Sequence, residues 1–406
     1  MRVTVPSLRF NEFRDNWLEA KLSHFVIVNP KKPACPPDGL VSFIPMNAVT
    51  EDAKIISLET VHYANVSSGF TAFQNQDVLL AKITPCFENG KGALAENLHN
   101  QIGFGSTEFH VLRATDGICP QYVYHFVNTP KFRIVGEKNM QGSAGQKRVT
   151  TDYLKNCRAH FPKSITEQQK ISDFLTAVDS KISLLTEKYH LLNEYKKGAM
   201  QELFSQQLRF KDKDGNAFPE WKEDRLDSFI KRVNDPVDVE QTTEYCQIGI
   251  RCHGKGIFHK DKVTGAEIGN KRVFWVHTKA LVINIVFAWE RAIAVTSENE
   301  KGFIASHRFP MYVPVEDKSD LDYLLYFFLS PRGELLLNLA SPGGAGRNKT
   351  LGQAEFSRLK VKLPSLAEQQ KIAQFLQSID NKIAAVAEQI EQTKQFKKGL
   401  LQQMFV

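Results

Sequence analysis

The glycine-rich segment SPGGAGRNKT at residues 341–350 is the first place to look for chemistry, because it superficially fits a phosphate-binding loop. Such a loop has glycine directly before a lysine–hydroxyl pair, so that its backbone amides can approach the phosphates. Asn348 holds that place here, and the matching segment GSAGQKRVT at residues 142–150 has no lysine–hydroxyl pair. We therefore expect no nucleotide site. Both segments instead carry donors suited to phosphates or base edges, unless the loops are merely solvated. These donors are Gln146, Lys147, Arg148, Arg347, Asn348 and Lys349.

Other catalytic patterns are weaker still. Asp38 with Asp52 and Lys54 loosely fits the two acids and lysine of a magnesium-dependent nuclease, but the second half of the chain has no equivalent. Four metal-ligating side chains lack the spacing of a zinc finger or ribbon. They are Cys246, Cys252, His253 and His259. The chain has no His-Glu-x-x-His, Gly-x-Ser-x-Gly or Asn/Asp-Pro-Pro-aromatic motif. We therefore predict neither a catalytic site nor a metal site.

An internal repeat organises the chain. Residues 167–204 and 368–405 match at a constant offset of 201, with 16 of 38 positions identical, and both begin EQQKI. Weaker matches extend upstream, where Asp77-VLLAKI corresponds to Lys279-ALVINI and the two glycine-rich loops correspond to each other. A repeat of this length indicates a tandem duplication of one structural unit. Each half is a mixed domain of roughly 155 residues followed by a helix of roughly 40.

The repeated segments have the heptad pattern of long helices. Apolar residues recur in alternating steps of four and three until the lysines Lys196 and Lys397 break the pattern. Helices of this length span roughly 60 Å. Thr166 and Ser365 lie where N-caps are expected. The simplest pairing is antiparallel within one chain, and pairing with another chain is the alternative. The predicted packing seam consists of Ile171, Leu175, Val178, Ile182, Leu185, Ile372, Leu376, Ile379, Ile383 and Val386.

The regions before the helices combine short β-rich runs with helical stretches. The run Glu108-FHVLR favours a strand, whereas Tyr122-VYHFVN and Leu321-DYLLYFFLS favour helices. Because strands and helices do not alternate regularly, the fold class is α+β. We predict two duplicated domains at residues 1–160 and 207–361, separated by spacer helices at residues 161–206 and 362–406 that form an antiparallel coiled coil.

The charge balance points to a polyanionic partner. The chain carries a net charge of +7, with a pI near 8.9. Residues 165–205 hold five lysines against six acids, and residues 366–406 hold five lysines against four, so the excess lies in the domains. Six scattered cysteines show no disulfide framework, and no stretch fits a leader or a membrane span. We expect a cytoplasmic protein.

The order domain, long helix, domain, long helix resembles the specificity subunit of type I restriction-modification enzymes. The segments that carry this resemblance are FPEW near a domain start, GSTEFHVLR, the Ala-Gly loop, LPSLAEQQKIAQFL and KKGLLQQMF. The resemblance covers essentially the whole chain, and the two EQQKI segments are its most specific part. The domains are less diagnostic, because in this family they vary with the DNA target.

The resemblance implies a non-catalytic DNA-binding subunit. Each domain would read one half of a split, asymmetric double-stranded site, and the helix pair would fix the gap and dock two methyltransferase subunits. Those partners would use S-adenosylmethionine to methylate adenine, and two motor-nuclease subunits would use ATP and Mg²⁺. This chain itself would hold no cofactor. A lone nuclease or methyltransferase, a coiled-coil scaffold without specific DNA binding, and a methylation-only system are the alternatives.

Base reading would fall to Arg, Lys, Asn and Gln side chains on the two domains. Lys82 and Asn284 are assigned the same repeat position, as are Glu108 and Arg308, so the two halves present unlike groups at matching places. The candidate DNA contacts are Lys82, Lys91, Arg113, Gln146, Lys147, Arg148, Asn284, Arg291, Arg308, Arg347, Asn348 and Lys349.

Overall fold

The computed structural model describes residues 5–143, 145–343 and 349–406, and its contacts divide the chain into two compact units. The first unit contains the residues up to Thr186 together with Glu388–Val406, and the second contains Glu187–Ala387. Each unit therefore holds one β-rich domain, the first part of the long helix that follows it and the last part of the other long helix. The predicted α+β class with duplicated domains and two long helices is confirmed.

The first domain leads into a 40-residue helix, α5 (Ile165–Phe204). Its strands are β1 (Leu18–Lys21), β2 (Val26–Val28), β3 (Leu40–Ile44), β4 (Glu59–His62), β5 (Thr71–Gln74), β6 (Val78–Ala81), β7 (Gly92–Leu94), β8 (Ile102–Gly105), β9 (Phe109–Ala114) and β10 (Arg158–Phe161). Its short helices are α1 (Tyr63–Val66), α2 (Pro120–Val127), α3 (Pro130–Lys138) and α4 (Thr151–Asn156).

The second domain leads into a 38-residue helix, α10 (Leu366–Gln403). Its strands are β11 (Lys222–Arg225), β12 (Ile230–Val233), β13 (Glu244–Tyr245), β14 (Ile248–Ile250), β15 (Ile257–His259), β16 (Val263–Thr264), β17 (Val273–Trp275), β18 (Leu281–Ile283), β19 (Ile293–Val295), β20 (Ile304–Ser306), β21 (Met311–Pro314) and β22 (Lys360–Leu363). Its short helices are α6 (Gly265–Ile268), α7 (Leu321–Leu329), α8 (Pro331–Leu339) and α9 (Gln353–Arg358).

One antiparallel four-stranded sheet recurs in both units. Its order is β2-β9-β6-β7 in the first unit and β12-β21-β18-β19 in the second. Strand β6 is buried on both faces, because Val78 and Leu80 join the core under the helices while Leu79 and Ala81 join a second core on the other face. A continuous apolar run without alternation is typical of a strand covered on both sides.

Unlike structures cover the second face of this shared sheet. In the first unit the cover is a four-stranded sheet, β4-β3-β8-β5, in which β3 and β8 run parallel. In the second unit it consists of three separate strand pairs, β13-β16, β14-β15 and β17-β20. The two domains therefore share a framework and differ in the part that lies beyond it.

The sheet corrects the alignment of the two halves at one position. The Lys82 amide donates to the Glu108 carbonyl at 2.9 Å in the first unit, and the Ile285 amide donates to the Arg308 carbonyl at 3.0 Å in the second. Glu108 and Arg308 are equivalent, as predicted, but the counterpart of Lys82 is Ile285. The predicted equivalence with Asn284 is wrong by one residue. Because the strands are apolar on both faces, their sequences lack the alternation that would fix the register.

The lysines that interrupt the heptads pair the two long helices. In the first unit Lys397 of α10 lies 2.5 Å from the carboxylate of Asp179 on α5. In the second unit Lys196 of α5 lies 2.6 Å from Asp380 of α10. The two bridges join the same repeat positions with the roles of the helices exchanged. Within this chain the helices therefore run antiparallel, as the simplest pairing predicted.

The seam is buried mainly where it meets a domain. Ile171, Leu175, Val178 and Ile182 belong to the core of the first domain, together with residues near the end of α10. Leu185 and Ile383 are half-buried. The seam thus packs against domain and helix alike. The remaining predicted seam residues, all buried, are Ile372, Leu376, Ile379 and Val386.

A carboxylate is buried in the first turn of each long helix. Glu167 and Glu368 are 2% and 0% exposed. Each receives two N–H bonds from one guanidinium and one from an indole, at 2.7–3.2 Å. A negative charge is also favourable at a helix N-terminus. The donors are Arg9 and Trp17 in the first unit, and Arg209 and Trp221 in the second.

The neighbouring glutamine ties each long helix to a short one. Gln168 is fully buried, accepts the Cys119 amide before α2 at 2.8 Å and donates to the Pro162 carbonyl at 2.9 Å. Gln369 makes the corresponding bonds to the amide before α7 and the carbonyl before α10. Buried polar groups require such partners, which gives the repeated Glu-Gln pair a physical reason.

The predicted N-cap of α5 is wrong. Thr166 lies inside the first turn, and Ser164 precedes the helix, with its hydroxyl accepting the Glu167 amide at 3.4 Å. Ser365 does precede α10, but within the described ranges its buried hydroxyl oxygen has no hydrogen-bond partner. The Glu368 side chain cannot complete a capping box there, because it is already held by the guanidinium and the indole.

We predict that Glu368→Gln lowers the free energy of unfolding by about 3 kcal/mol, because the partly buried guanidinium loses its charged partner. Glu167→Gln should do the same in the first unit. Urea titration followed by tryptophan fluorescence measures both. Glu194→Gln, on the exposed face of α5, is the matched control and should stay close to wild type. A Glu368→Gln variant as stable as this control would contradict the role of the buried carboxylate.

Equivalent positions of α2 and α7 carry unlike groups. In the second unit the Tyr326 hydroxyl donates to Asp380 at 2.6 Å. His125 holds the corresponding place in the first unit, with Nε2 lying 3.2 Å from the Thr176 hydroxyl. Burial and the positive charge of Lys397 lower the pKa of His125 to about 3. The imidazole is therefore neutral at pH 7.

We predict that His125 makes the first unit sensitive to acid. Its pKa is lower in the folded chain than the value of about 6.5 in an unfolded one, so the unfolded state binds more protons and stability falls as the pH drops below about 6.5. Between pH 7 and 5, His125→Gln should lose about 2 kcal/mol less free energy of unfolding than wild type. Urea titrations at both pH values measure this difference. The exposed His62→Gln is the control, and equal losses in His125→Gln and wild type would contradict the assignment.

Candidate nucleic-acid interface

A cleft of about 230 Å³ opens in the first unit where β2 and β6 end and β5 begins. Phe70 is 41% exposed there, which is unusual for a phenyl ring. No carboxylate is among the described residues that line it. The polar and aromatic lining consists of Asn29, Lys32, Phe70, Thr71, Lys82 and Phe109. Lysine donors beside an exposed ring suit a ligand that has both phosphates and bases.

The predicted loop donors of the first unit lie next to this cleft. The Lys147 carbonyl accepts the Thr84 amide at 3.0 Å. Thr84 is two residues after Lys82, so this bond holds the loop close to the Lys82 end of the cleft. Gln146 and Lys147 are exposed. Arg148 instead binds the carboxylate of Glu108, with contacts of 2.9 and 3.0 Å, and this ion pair lowers the pKa of Glu108. Lys82 adds to that lowering through its charge.

Two other predicted contacts of the first unit lie elsewhere. Arg113 donates to both carboxylate oxygens of Asp77 at 2.8 and 2.7 Å, at the opposite end of β6 from Lys82. Asp77 is only 1% exposed, so its buried charge needs this guanidinium. Lys91 is half-buried in the turn before β7 and does not line the cleft. The structure thus brings together Lys82 and the loop but leaves Lys91 and Arg113 apart.

A larger cleft, of about 510 Å³, lies in the second unit between the β14–β15 hairpin and the turn after β18. Asn284 sits in that turn, and the neighbouring Phe287 is 39% exposed. Among the described residues that line it there is again no carboxylate. The polar and aromatic lining consists of Arg251, Cys252, His253, Lys255, Phe258, Lys260, Asn284, Phe287 and Phe309.

The other predicted contacts of the second unit surround this cleft. Arg291 supports the turn of the hairpin, because its carbonyl accepts the Gly254 amide while its guanidinium contacts Glu334 at 3.3 Å. Arg308 is exposed. Lys349 lies over the Trp289 ring, 5.7 Å from its centre. The predicted contacts Arg347 and Asn348 lie outside the described residues.

The β14–β15 hairpin was not among the predicted DNA contacts. The segment Arg251-CHGKGIFHK holds three basic residues, two glycines and a phenylalanine within ten positions. A glycine-rich turn flanked by cations and an aromatic residue is typical of a nucleic-acid contact, and this signal could have been read from the sequence. In the cleft of the first unit, Lys32 and Phe70 lie too far apart along the chain to form a motif.

The residues of the two weaker catalytic patterns are not brought together into a site. Asp38 accepts the Leu40 amide and the Asn100 side chain, whereas Asp52 lies beside Lys54. Over the described ranges, no three His, Cys, Asp or Glu side chains are placed to hold a metal ion. Among the helices of those ranges, none combines the length and apolarity that crossing a bilayer requires.

The comparison with protein families gives a match over most of the chain. Residues 37–194 and 258–395 match the family described as type I restriction modification DNA specificity domain. The two matched regions fall in the two repeats, so both halves carry the same family signature. The predicted family resemblance is confirmed.

Curated relatives share parts of the sequence. The EcoAI specificity subunit of Escherichia coli is 39% identical over 162 residues, covering 39% of this chain and 27% of its own length. The EcoEI subunit of the same organism is 36% identical over an equal share. The match therefore spans about a quarter of the length of these relatives. The MjaVIII specificity subunit of Methanocaldococcus jannaschii is 22% identical over 300 residues, which cover 65% of this chain and 65% of its own length.

Solved structures share the fold at low identity. A type I restriction-modification S subunit from M. genitalium aligns with a TM-score of 0.59 at 13% identity, covering 99% of both chains. A chain of a type I system solved for its assembly and conformational transition aligns with a TM-score of 0.54 at 17% identity, covering 95% and 96%. The chain belongs to the family of type I restriction-modification DNA specificity subunits, which are the non-catalytic recognition components of those systems.

Proposed function

We propose that this chain recognises a bipartite, asymmetric double-stranded DNA site and directs adenine methylation and cleavage by partner subunits. The observation that carries the proposal is that both units contain the same four-stranded sheet, whereas the clefts beside it have different linings. The shared sheet holds each cleft in the same place, while the strands beyond it differ. Two domains that read different half-sites require this combination of a constant scaffold and variable edges.

The chemistry of both clefts suits DNA. Lysine and arginine neutralise phosphates and supply sequence-independent affinity, whereas amide and guanidinium groups read base edges. Each cleft offers lysine donors and an exposed phenyl ring, and the second adds the Arg251 guanidinium and the Asn284 amide. No described lining residue of either cleft is an acid that would repel phosphate. The net charge of +7, which resides in the domains, adds long-range attraction.

The long helices are assigned two roles in this proposal. They set the spacing between half-sites, and their outer faces dock two methyltransferase subunits that use S-adenosylmethionine. Two motor-nuclease subunits that use ATP and Mg²⁺ complete the assembly, which acts on DNA in the cytoplasm. Large apolar side chains on the outer faces support docking, because exposed apolar patches mark interaction sites. They are Leu184, Leu191, Tyr195 and Phe396, all more than half exposed.

The proposal is tested by mapping methylated adenines across the genome of a host that expresses this chain with its methyltransferase partner. We expect a split, asymmetric motif that is absent from a host lacking this chain. The matched control expresses the methyltransferase alone. Methylation that is missing from both hosts, or present in both, would favour a scaffold without specific DNA binding.

We predict that Lys147→Ala combined with Arg148→Ala weakens DNA binding by the assembled complex about tenfold or more at moderate salt. The exposed Lys147 charge is lost, and Glu108 is left beside the cleft without the Arg148 guanidinium that neutralises it. The salt dependence of binding should also become shallower. Titrating labelled DNA at several salt concentrations measures both effects. Lys131→Ala with Arg158→Ala removes the same charge from a different cleft of the first unit and is the matched control. The prediction fails if the two double variants bind equally well.

A further inference from the structure

We propose that Arg251 and Asn284 are the specificity-determining residues of the second unit and that they read a guanine in its half-site. The inference rests on the proposed DNA-binding function and adds to it the site, the residues and the base. It is carried by the position of the two side chains in one cleft, by their internal hydrogen bonds and by the absence of Asp and Glu from the described residues that line the cleft.

Arg251 is held in place before any ligand arrives. Its guanidinium lies over the Phe258 ring, 5.0 Å from the ring centre, and one nitrogen donates to the Ile257 carbonyl at 3.2 Å. The backbone amide of Arg251 closes the hairpin by donating to the Gly256 carbonyl at 2.9 Å. A guanidinium has five N–H groups, and the bond to Ile257 is the one side-chain hydrogen bond that Arg251 donates to a described residue, so the fork keeps donors for a ligand in the cleft that it lines. A fixed, planar fork loses less entropy on binding than a mobile lysine does.

The side-chain amide of Asn284 is also held in one orientation. Its side-chain oxygen accepts the Val286 amide at 3.1 Å, which turns that oxygen towards its own loop. Its side-chain nitrogen has no hydrogen-bond partner in the part of the chain that the structure describes. Asn284 therefore presents a donor to the cleft and cannot pair with adenine through both of its atoms.

Every charged side chain among the described residues that line the cleft is cationic. Lys255 and Lys260 are exposed at its edge, and none of its described lining residues is Asp or Glu. In the major groove guanine presents two acceptors, N7 and O6, whereas adenine and cytosine present donor groups that need an acceptor. Thymine presents a single acceptor, O4, so only guanine can bond both arms of a guanidinium fork. The fixed fork of Arg251 therefore favours guanine.

The exposed ring of Phe287 favours contact with a base over contact with a phosphate alone. A phenyl ring gains nothing beside a phosphate, but it can pack on a base or on the methyl group of thymine. Because Phe287 follows Asn284 by three residues on the same turn, the ring and the amide reach the same part of a ligand. Lys255 and Lys260 are assigned to the phosphates.

The test uses the assembled methyltransferase and the methylated motif as its readout. For Arg251→Ala and Asn284→Ala we expect one guanine position, in one half of the split motif, to lose its discrimination about tenfold, while the other half is unchanged. Arg251→Lys keeps the charge but loses the fork and should relax the same position. The unchanged half shows in each case that the variant is folded.

Lys255→Ala is the matched control, since it removes one charge from the same hairpin. It should lower methylation at all sites equally and leave the motif intact. If Arg251→Ala behaves like Lys255→Ala, or changes nothing, or relaxes a position that is not guanine, the inference is overturned. If wild type yields no split motif, the proposed function itself fails, and that result is distinct from failure of the inference.

Discussion

The buried carboxylate in the first turn of each long helix is the interaction on which the rest of each unit depends. A charge that is almost fully removed from water must be compensated, and here one guanidinium and one indole do so. Both donors come from the segment before the first strand of the domain, so that segment must return to the helix start. The adjacent glutamine bonds the amide before α2 or α7, which fixes a short helix as well. One turn of helix thereby positions three parts of the chain.

This constraint separates the part of the domain that must stay constant from the part that can vary. The four-stranded sheet and its helices pack on the anchored side in both units, and the apolar side chains of the central strands β6 and β18 reach both faces. The strands beyond the sheet make no contribution to the anchor. They form one continuous sheet in the first unit and three separate pairs in the second, and the clefts open in these regions.

Burial also sorts the basic residues by role. Arg113 and Arg133 neutralise or cross-link buried groups, so their hydrogen bonds are committed to the fold. Lys147 and Arg251 lie on exposed loops and turns with donors facing outwards. A basic side chain can meet DNA only when its partner within the protein is weak or incomplete. Charge counting alone cannot make this distinction, because it treats both kinds of residue alike.

The sequence by itself determined the duplication, the two long helices and the family, because EQQKI and the heptads are local signals that repeat at a fixed offset. It also placed the helical stretches that became α2 and α7. Only the tertiary structure decided which residues of β6 and β18 are equivalent in the two halves. Strands that are apolar on both faces have no alternation by which their sequences could be aligned. The tertiary structure likewise decided that Arg113 serves Asp77, and that Lys82, Phe70 and Asn29 share one cleft. Those contacts join residues far apart along the chain, and no local pattern encodes them.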